Sequence, residues 1–352
     1  MRIHLLRRKA AGFAAGLLIA AIAEPTNADP YLYVGNGASN DISVISIPEH
    51  ELVSIIPVGH EVDDVIGSHD GKTLFAGLKV IKDHPLGYPT AGEIVAINTE
   101  TEEIKWRIEV DNGIPNHLSI TKEGMLYVPM FDRPYIYVVD TNKGEVIDKL
   151  GGALGMHGTR LSPDEKRLYV GAIFHEYLGI HNLETKKPEK FIWFEDGVRP
   201  FAFPHDEKIA YVQESKLHGF RVVDLEAGKI IKTVDMPALP AGVELKPPYW
   251  TSNNHGLELS PDEKYIVANA SILDYVAVFT PPELKHIATI PVGDDPNWVV
   301  FSQDSKYAYI SDRGSGEVSV ISMDELREIK RLDTGGEGSA RMRVVDVPKR
   351  AD

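Results

Sequence analysis

Residues 155–171, GMHGTRLSPDEKRLYVG, are the unit from which the rest of the chain can be read. A short run enters the polar turn Ser162-Pro163-Asp164-Glu165-Lys166, and a second run, Leu168-Tyr169-Val170, leaves it. That pattern predicts strand, tight turn, strand. Copies aligned on Leu168 fall at Leu32, Leu74, Leu126, Leu168, Ala210, Ile266 and Ala308, with spacings of 42, 52, 42, 42, 56 and 42. A fixed 42-residue step carrying two insertions marks a repeat architecture, in which each unit buries its apolar face only against its neighbours.

Between the copies, runs of four to six residues rich in Val, Ile, Tyr and Leu alternate with Gly, Asn, Asp or Pro, and no helical period appears. The first copy has three such runs, Tyr31-Leu32-Tyr33-Val34, Ile42-Ser43-Val44-Ile45 and Leu52 to Val58, where the others have four. One more 42-residue step beyond Ala308 lands on Ala340-Arg341-Met342-Arg343-Val344-Val345, which supplies the missing strand. The expected fold is therefore all-β: a seven-bladed β-propeller of four-stranded blades, its first blade closed by the C-terminal strand so that the ring has no open seam.

The segments Tyr33-Val34-Gly35-Asn36 with Asp41-Ile42-Ser43-Val44-Ile45, Tyr309-Ile310-Ser311-Asp312 with Glu317-Val318-Ser319-Val320-Ile321, and Leu161-Ser162-Pro163-Asp164-Glu165 resemble the YVTN-type β-propeller repeat of the WD40/YVTN-like superfamily. The resemblance implies the propeller fold over residues 29–352. It leaves function open, since such propellers serve as surface proteins, amine dehydrogenase subunits, haem d1 and copper-enzyme scaffolds and, in one case, a DNA binder.

Composition narrows the classes. With 43% hydrophobic and 25% charged residues the 352-residue chain has material for a large core. Residues 1–28 read as a signal peptide: Arg2, Arg7, Arg8 and Lys9 precede the apolar run 10–23 and the small-residue site Thr26-Asn27-Ala28. The run is short of the roughly 20 residues a membrane span needs. A periplasmic or secreted chain with no membrane span after processing is expected, and Arg7-Arg8 leaves Sec and twin-arginine export both open. Removing the four basic residues and Glu24 takes the net charge from −15 to −18, which repels phosphate backbones and argues against nucleic acid as a partner. The absence of cysteine excludes thiolate metal sites and covalently attached haem. Phosphate-binding loops, a nucleophile elbow, His-Glu-x-x-His and EF-hand loops are also absent.

The repeat also predicts where chemistry sits. Both insertions, 77–92 and 237–254, fall on the face from which the inner strands descend, and the second carries Tyr249 and Trp250. Eleven positions before each anchor stand Asp63, Pro115, His157, Arg199, His255, Asn297 and, in the closing strand, Ser339. Two positions further come His117 and Arg341 among apolar residues, and Trp298 begins the last inner strand. Imidazoles from several blades suit a transition metal, Cu or Zn, so His157, His255 and His117 are the expected ligands. Arg199 is shaped to clamp an oxyanion, with Asn297, Trp298 and Trp250 as further ligand contacts. Glu176, His175 and Asp63 are the candidate proton donors or acceptors. Two functions fit: a metal-dependent enzyme acting on a small anionic molecule, or a noncatalytic accessory propeller for a partner protein or redox complex on the same face. A monomer is expected in either case.

Overall fold

The computed structural model describes residues 28–80, 91–110, 113–237, 239 and 252–349. Among them lie twenty-eight strands in seven four-stranded antiparallel sheets and no helix. The signal-peptide reading and the insertion residues Tyr249 and Trp250 lie outside the described residues. The expected closure is present: Ser339–Pro348 pairs antiparallel with Ala28–Asn36, with Leu32 opposite Val344 and Tyr31 opposite Val345, as the inner strand of blade one.

The blades hold together because alternate residues of their middle strands face the next blade. Between blades one and two, Ile42, Val44, Val65, Leu74 and Val95 pack with Val345 and Val347 of the closing strand. Between blades seven and one, Tyr309, Val318 and Val320 meet Leu32, Val34, Ile45 and Met342. Each such fully buried aliphatic side chain contributes roughly 1.5–3 kcal/mol. The closing strand therefore stabilises two seams and a sheet at once.

The turns at the foot of the inner strands repeat to within 0.1 Å. Ser Oγ donates to Asp Oδ1 at 2.7 Å in Ser68/Asp70, 2.6 Å in Ser162/Asp164, 2.7 Å in Ser260/Asp262 and 2.7 Å in Ser302/Asp304. In each the backbone N–H five residues after the serine donates back to its Oγ at 3.0 Å. The first insertion partly lengthens the hairpin of blade two, whose strands Thr73–Val80 and Ala91–Asn98 stay paired as far as Val80 and Ala91.

Candidate functional site

The upper ends of the inner strands are irregular in a consistent way. In the strand Met156–Leu161, Met156 pairs with Ala172 and Gly158 with Gly171, so His157 is an extra, bulged residue. The same break in register falls at Asp63 in Glu61–Gly67, at Asn297 in Pro296–Phe301, at Arg199 and Pro200 in Val198–Ala202, and at Ala340 in the closing strand. A bulge bends the strand and re-aims its side chain. Here it turns polar residues into the axis where a regular ladder would alternate them. In blade six the carboxamide of Asn269 replaces the ladder, its Oδ1 accepting from the N–H of both His255 and Gly256.

These residues line one cavity of about 420 Å³, which includes Asp63, Asn116, His157, Arg199, His255 and Arg341. At its floor three buried imidazoles converge. His157 Nε2 lies 3.4 Å from His117 Nε2 and 3.2 Å from His255 Nε2. His255 Nδ1 is 2.9 Å from the carbonyl oxygen of Asn297 and must carry the proton there, so its Nε2 presents a lone pair to the cluster. His157 Nδ1 is buried without a partner. Below the cluster lies a second cavity of about 370 Å³, bounded by His117, Trp298, Thr159, Phe201 and Arg343 among others. His117 and Trp298, with ring centroids 4.6 Å apart, form the partition between the two.

The site is positively charged overall. Burial holds all three imidazoles well below their ordinary range, and the guanidinium groups add to it, Arg341 most at His117 and His255 and Arg199 most at His157. All three are neutral at neutral pH. Burial, followed by the charge of Arg341, pushes Arg199 down to about 10. Arg199 Nε donates to Ser215 Oγ at 2.8 Å. Arg341 Nε stands 3.2 and 3.3 Å from the two ring nitrogens of His117, its Nη1 donates to Asn297 Oδ1, and its guanidinium lies 4.9 Å over the Trp298 ring.

The carboxylates take unequal parts. Lys79 Nζ holds Asp63 Oδ1 at 2.6 Å and Glu61 at 2.9 Å, so Asp63 is an ion-paired wall residue with its Oδ2 buried and unpartnered. Asp64 is fully buried; its Oδ2 accepts from Leu118 N–H at 2.6 Å, and its Oδ1, 4.0 Å from His117 Nδ1, has no hydrogen bond. Burial pushes Asp64 up to about 6 against the pull of Arg343 and Arg341.

His157, His255 and His117 thus come together as the spacing predicts, and they could hold a metal ion. A tetrahedral ion with metal–nitrogen bonds of about 2.0–2.1 Å sets its ligand nitrogens about 3.3–3.4 Å apart; the two separations at His157, 3.4 and 3.2 Å, are close to that, and one nitrogen of each ring lies within 4.8 Å of the others. Arg199, Asn297 and Asp63 share the cavity with the triad. Trp298 is placed beneath it, facing the lower cavity. His175 and Glu176 are not brought to the cavity: they sit on the rim loop of blade four, His175 exposed. Other loop residues serve the scaffold. Asp132 accepts from Ile114 N–H and His218 bonds Asn254 and Tyr275, whereas Arg313, paired with Asp295, is part of the cavity wall. Arg341 is the residue to which the sequence reading gives no role at the triad, although it is visible there as the one charged residue two positions below the ring. Asp64 is read with Asp63 as a possible ligand or base, and the bulge at Asp63 is what leaves both against the axis.

The family model described as "Lactonase, 7-bladed beta-propeller" matches residues 151–345. Among solved structures, a periplasmic gluconolactonase from Pseudomonas aeruginosa superposes with a TM-score of 0.74 at 17% identity, over 91% of this chain and 100% of that one. A putative 6-phosphogluconolactonase from Bacteroides fragilis gives 0.70 at 18% identity, over 92% and 99%. A hydrazine synthase from Kuenenia stuttgartiensis gives 0.64 at 17%, over 83% and 96%. At these identities the solved structures share the fold with this chain. The family match establishes a seven-bladed propeller family; the finer likeness to YVTN repeats is a separate matter of repeat sequence.

Proposed function

The chain belongs to the seven-bladed β-propeller lactonase family, and from that premise we propose that it is a hydrolase of small cyclic esters working in the upper cavity. The observation that carries the reading is the convergence of His117, His157 and His255 on one point of a polar cavity that Arg199 and Arg341 also line. Lactone hydrolysis adds water to the ring carbonyl carbon, breaks the ring C–O bond, and leaves a carboxylate and an alcohol with net release of one proton at neutral pH. Each part of that change has a matching group here. Asp63, in the cavity wall with an Oδ2 free of hydrogen bonds, is the group that accepts the proton of attacking water, since the Nε2 lone pairs of the triad converge on one another. The N–H groups of Arg199 and Arg341 are suited to the negative charge that develops on the carbonyl oxygen and remains on the product carboxylate. The carboxamide of Asn297, held between Arg341 and His255, fixes both in orientation.

We read the triad as a transition-metal site, Cu or Zn, which when filled would supply Lewis acidity at the cavity floor. The fit of the nitrogen separations to tetrahedral coordination supports this. The small anionic ligand anticipated for Arg199 is then the ring-opened acid. Export to the periplasm, a monomeric state and the absence of a nucleic-acid partner belong to the same reading, the last supported by the net charge of −15.

Acid release from δ-gluconolactone in a pH-stat tests the activity, and elemental analysis of the purified protein tests the metal. Turnover above the spontaneous rate, lost in a His157→Ala/His255→Ala double variant, is expected, with about one transition-metal ion per chain. No acceleration over buffer across a panel of sugar lactones would sink the hydrolase reading and leave the accessory-propeller one.

A further inference from the structure

We infer that the upper cavity binds a divalent cation and a carboxylate as a coupled pair, each raising the affinity of the other, with Arg341 as the group that couples them. The inference rests on the reading of the triad as a metal site and goes beyond it.

The argument starts from an unbalanced charge. Arg107, Arg160, Arg167, Arg221 and Arg313 each have a carboxylate oxygen at 2.6–2.8 Å. Arg341 is buried, and among the described residues it has no carboxylate within ion-pair distance. Its partners are His117, the Asn297 amide oxygen and the face of Trp298, all neutral. The acids whose fields reach Arg341, Asp63, Asp64 and Asp295, stand beyond ion-pair distance of it; Asp63 is paired with Lys79 and Asp295 with Arg313, and Asp64 accepts from the N–H of Leu118.

An ion on His117 Nε2 at about 2.1 Å stands within about 5.4 Å of Arg341 Nε, because that nitrogen is 3.3 Å from the same ring atom. Two like charges at that distance in an enclosed site repel with little screening. Alone, the cation is therefore disfavoured by Arg341, and the protein holds a good ligand set in a poor field. An oxyanion in the same cavity reverses this. His157, His255 and Arg341 all line the cavity, so one small carboxylate reaches both the cation and the guanidinium. Linkage then makes the effect reciprocal. A consequence follows for the proposed reaction: the uncharged lactone lacks what the carboxylate product supplies, so the product is the tighter partner of the ion.

Zinc and acetate are the probes. Zinc affinity of the full-length processed protein is measured by competition with a chromophoric chelator, in sodium chloride and in sodium acetate of equal ionic strength. Acetate should tighten zinc binding about tenfold, and zinc should tighten acetate by the same factor. Arg341→Gln should bind zinc more tightly than wild type without acetate and lose the response to it. Arg341→Lys, which keeps the charge, should retain the weak zinc binding in chloride, which separates electrostatics from misfolding. Zinc bound with an acetate effect below twofold, or no gain in Arg341→Gln beside a folded Arg341→Lys, overturns the coupling while the metal site stands. No zinc in either salt overturns both together.

Discussion

The inner strands have two ends, and they obey different rules. At the foot, four turns spell Ser-x-Asp and place the same hydrogen bonds within 0.1 Å of one another. At the mouth, one phase of the same strands carries Asp63, Pro115, His157, Arg199, His255, Asn297 and Ser339; four of the seven strands break register at that phase and the closing strand one residue after it. The serine and aspartate oxygens of the foot are paired. At the mouth Asp63 Oδ2, Asp64 Oδ1 and His157 Nδ1 are buried without a hydrogen bond. A buried polar atom without a partner costs about 1–3 kcal/mol, so the mouth gives up stability that the foot keeps. Polar groups held at such a cost in one converging cluster are what a binding site requires.

The largest expected effect lies at the mouth. His157→Asn should lower lactone turnover by about 100-fold, the scale of a disrupted ligand set, while the melting temperature changes little, because the ring it removes carries a buried Nδ1 without a partner. Unfolding of the same protein between pH 7.5 and 5 adds a second readout. The folded pKa values of all three imidazoles lie below the unfolded value near 6.5. The unfolded state then takes up protons first, so stability present above pH 6.5 is lost as pH falls below it. Replacing the three histidines with asparagine should flatten that loss; an unchanged pH slope would mean the rings are not held neutral.

Asp64 runs the other way. Its pKa is raised to about 6 from 3.8, chiefly by burial, so the folded protein binds the proton more tightly than the unfolded one, and the group's contribution falls as pH rises from about 4 to 6. Asp64→Asn keeps the acceptor for Leu118 N–H. It should stabilise the protein above pH 6 by up to about 3 kcal/mol and do nothing near pH 4, as read from urea unfolding at the two pH values. Equal gains at both would show that Asp64 is charged and satisfied in the folded state, and would weaken the contrast between mouth and foot.

How much of this is legible in the sequence divides along the same line. The foot is local: Ser, Pro, Asp and the strand after it recur at short range, so the period, the blade count and the closing strand could all be read from residues such as Leu168 and Val344. The mouth is assembled across the ring. His157 and His255 are recognisable because they share a phase of the repeat, although 98 residues separate them. His117 sits two positions lower, in a blade whose inner strand is regular only over Ser119–Ile120; ahead of it Pro115 bridges Met130 and His117 bridges Gly158, which sets His117 beside the strand that carries His157. Arg341 reaches the triad only because the C-terminal strand closes blade one. His175 and Glu176 share blade four with His157 but remain on the rim, since loop position alone carries no information about direction. Bulges were the missing knowledge: a strand drawn with strict alternation sends Asp64 and Asp63 to opposite faces, whereas the extra residue at Asp63 leaves both against the axis.

The smallest effect belongs to the foot, and it tests whether the two ends are independent. Asp164→Ala removes the acceptor for Ser162 Oγ and for Lys166 N–H, at 2.6 and 3.1 Å. Asp164 itself is exposed and only the Ser162 hydroxyl is buried, so the loss should be about 1 kcal/mol. Because Ser260/Asp262 and Ser302/Asp304 share the geometry, Asp262→Ala and Asp304→Ala should cost the same within about 0.5 kcal/mol. None should alter lactone turnover or zinc affinity, since each turn is separated from the triad by the length of its inner strand. A turn variant that changed turnover while melting within a degree or two of wild type would show that the foot also sets the bulge at the mouth, and the two ends would have to be treated as one device.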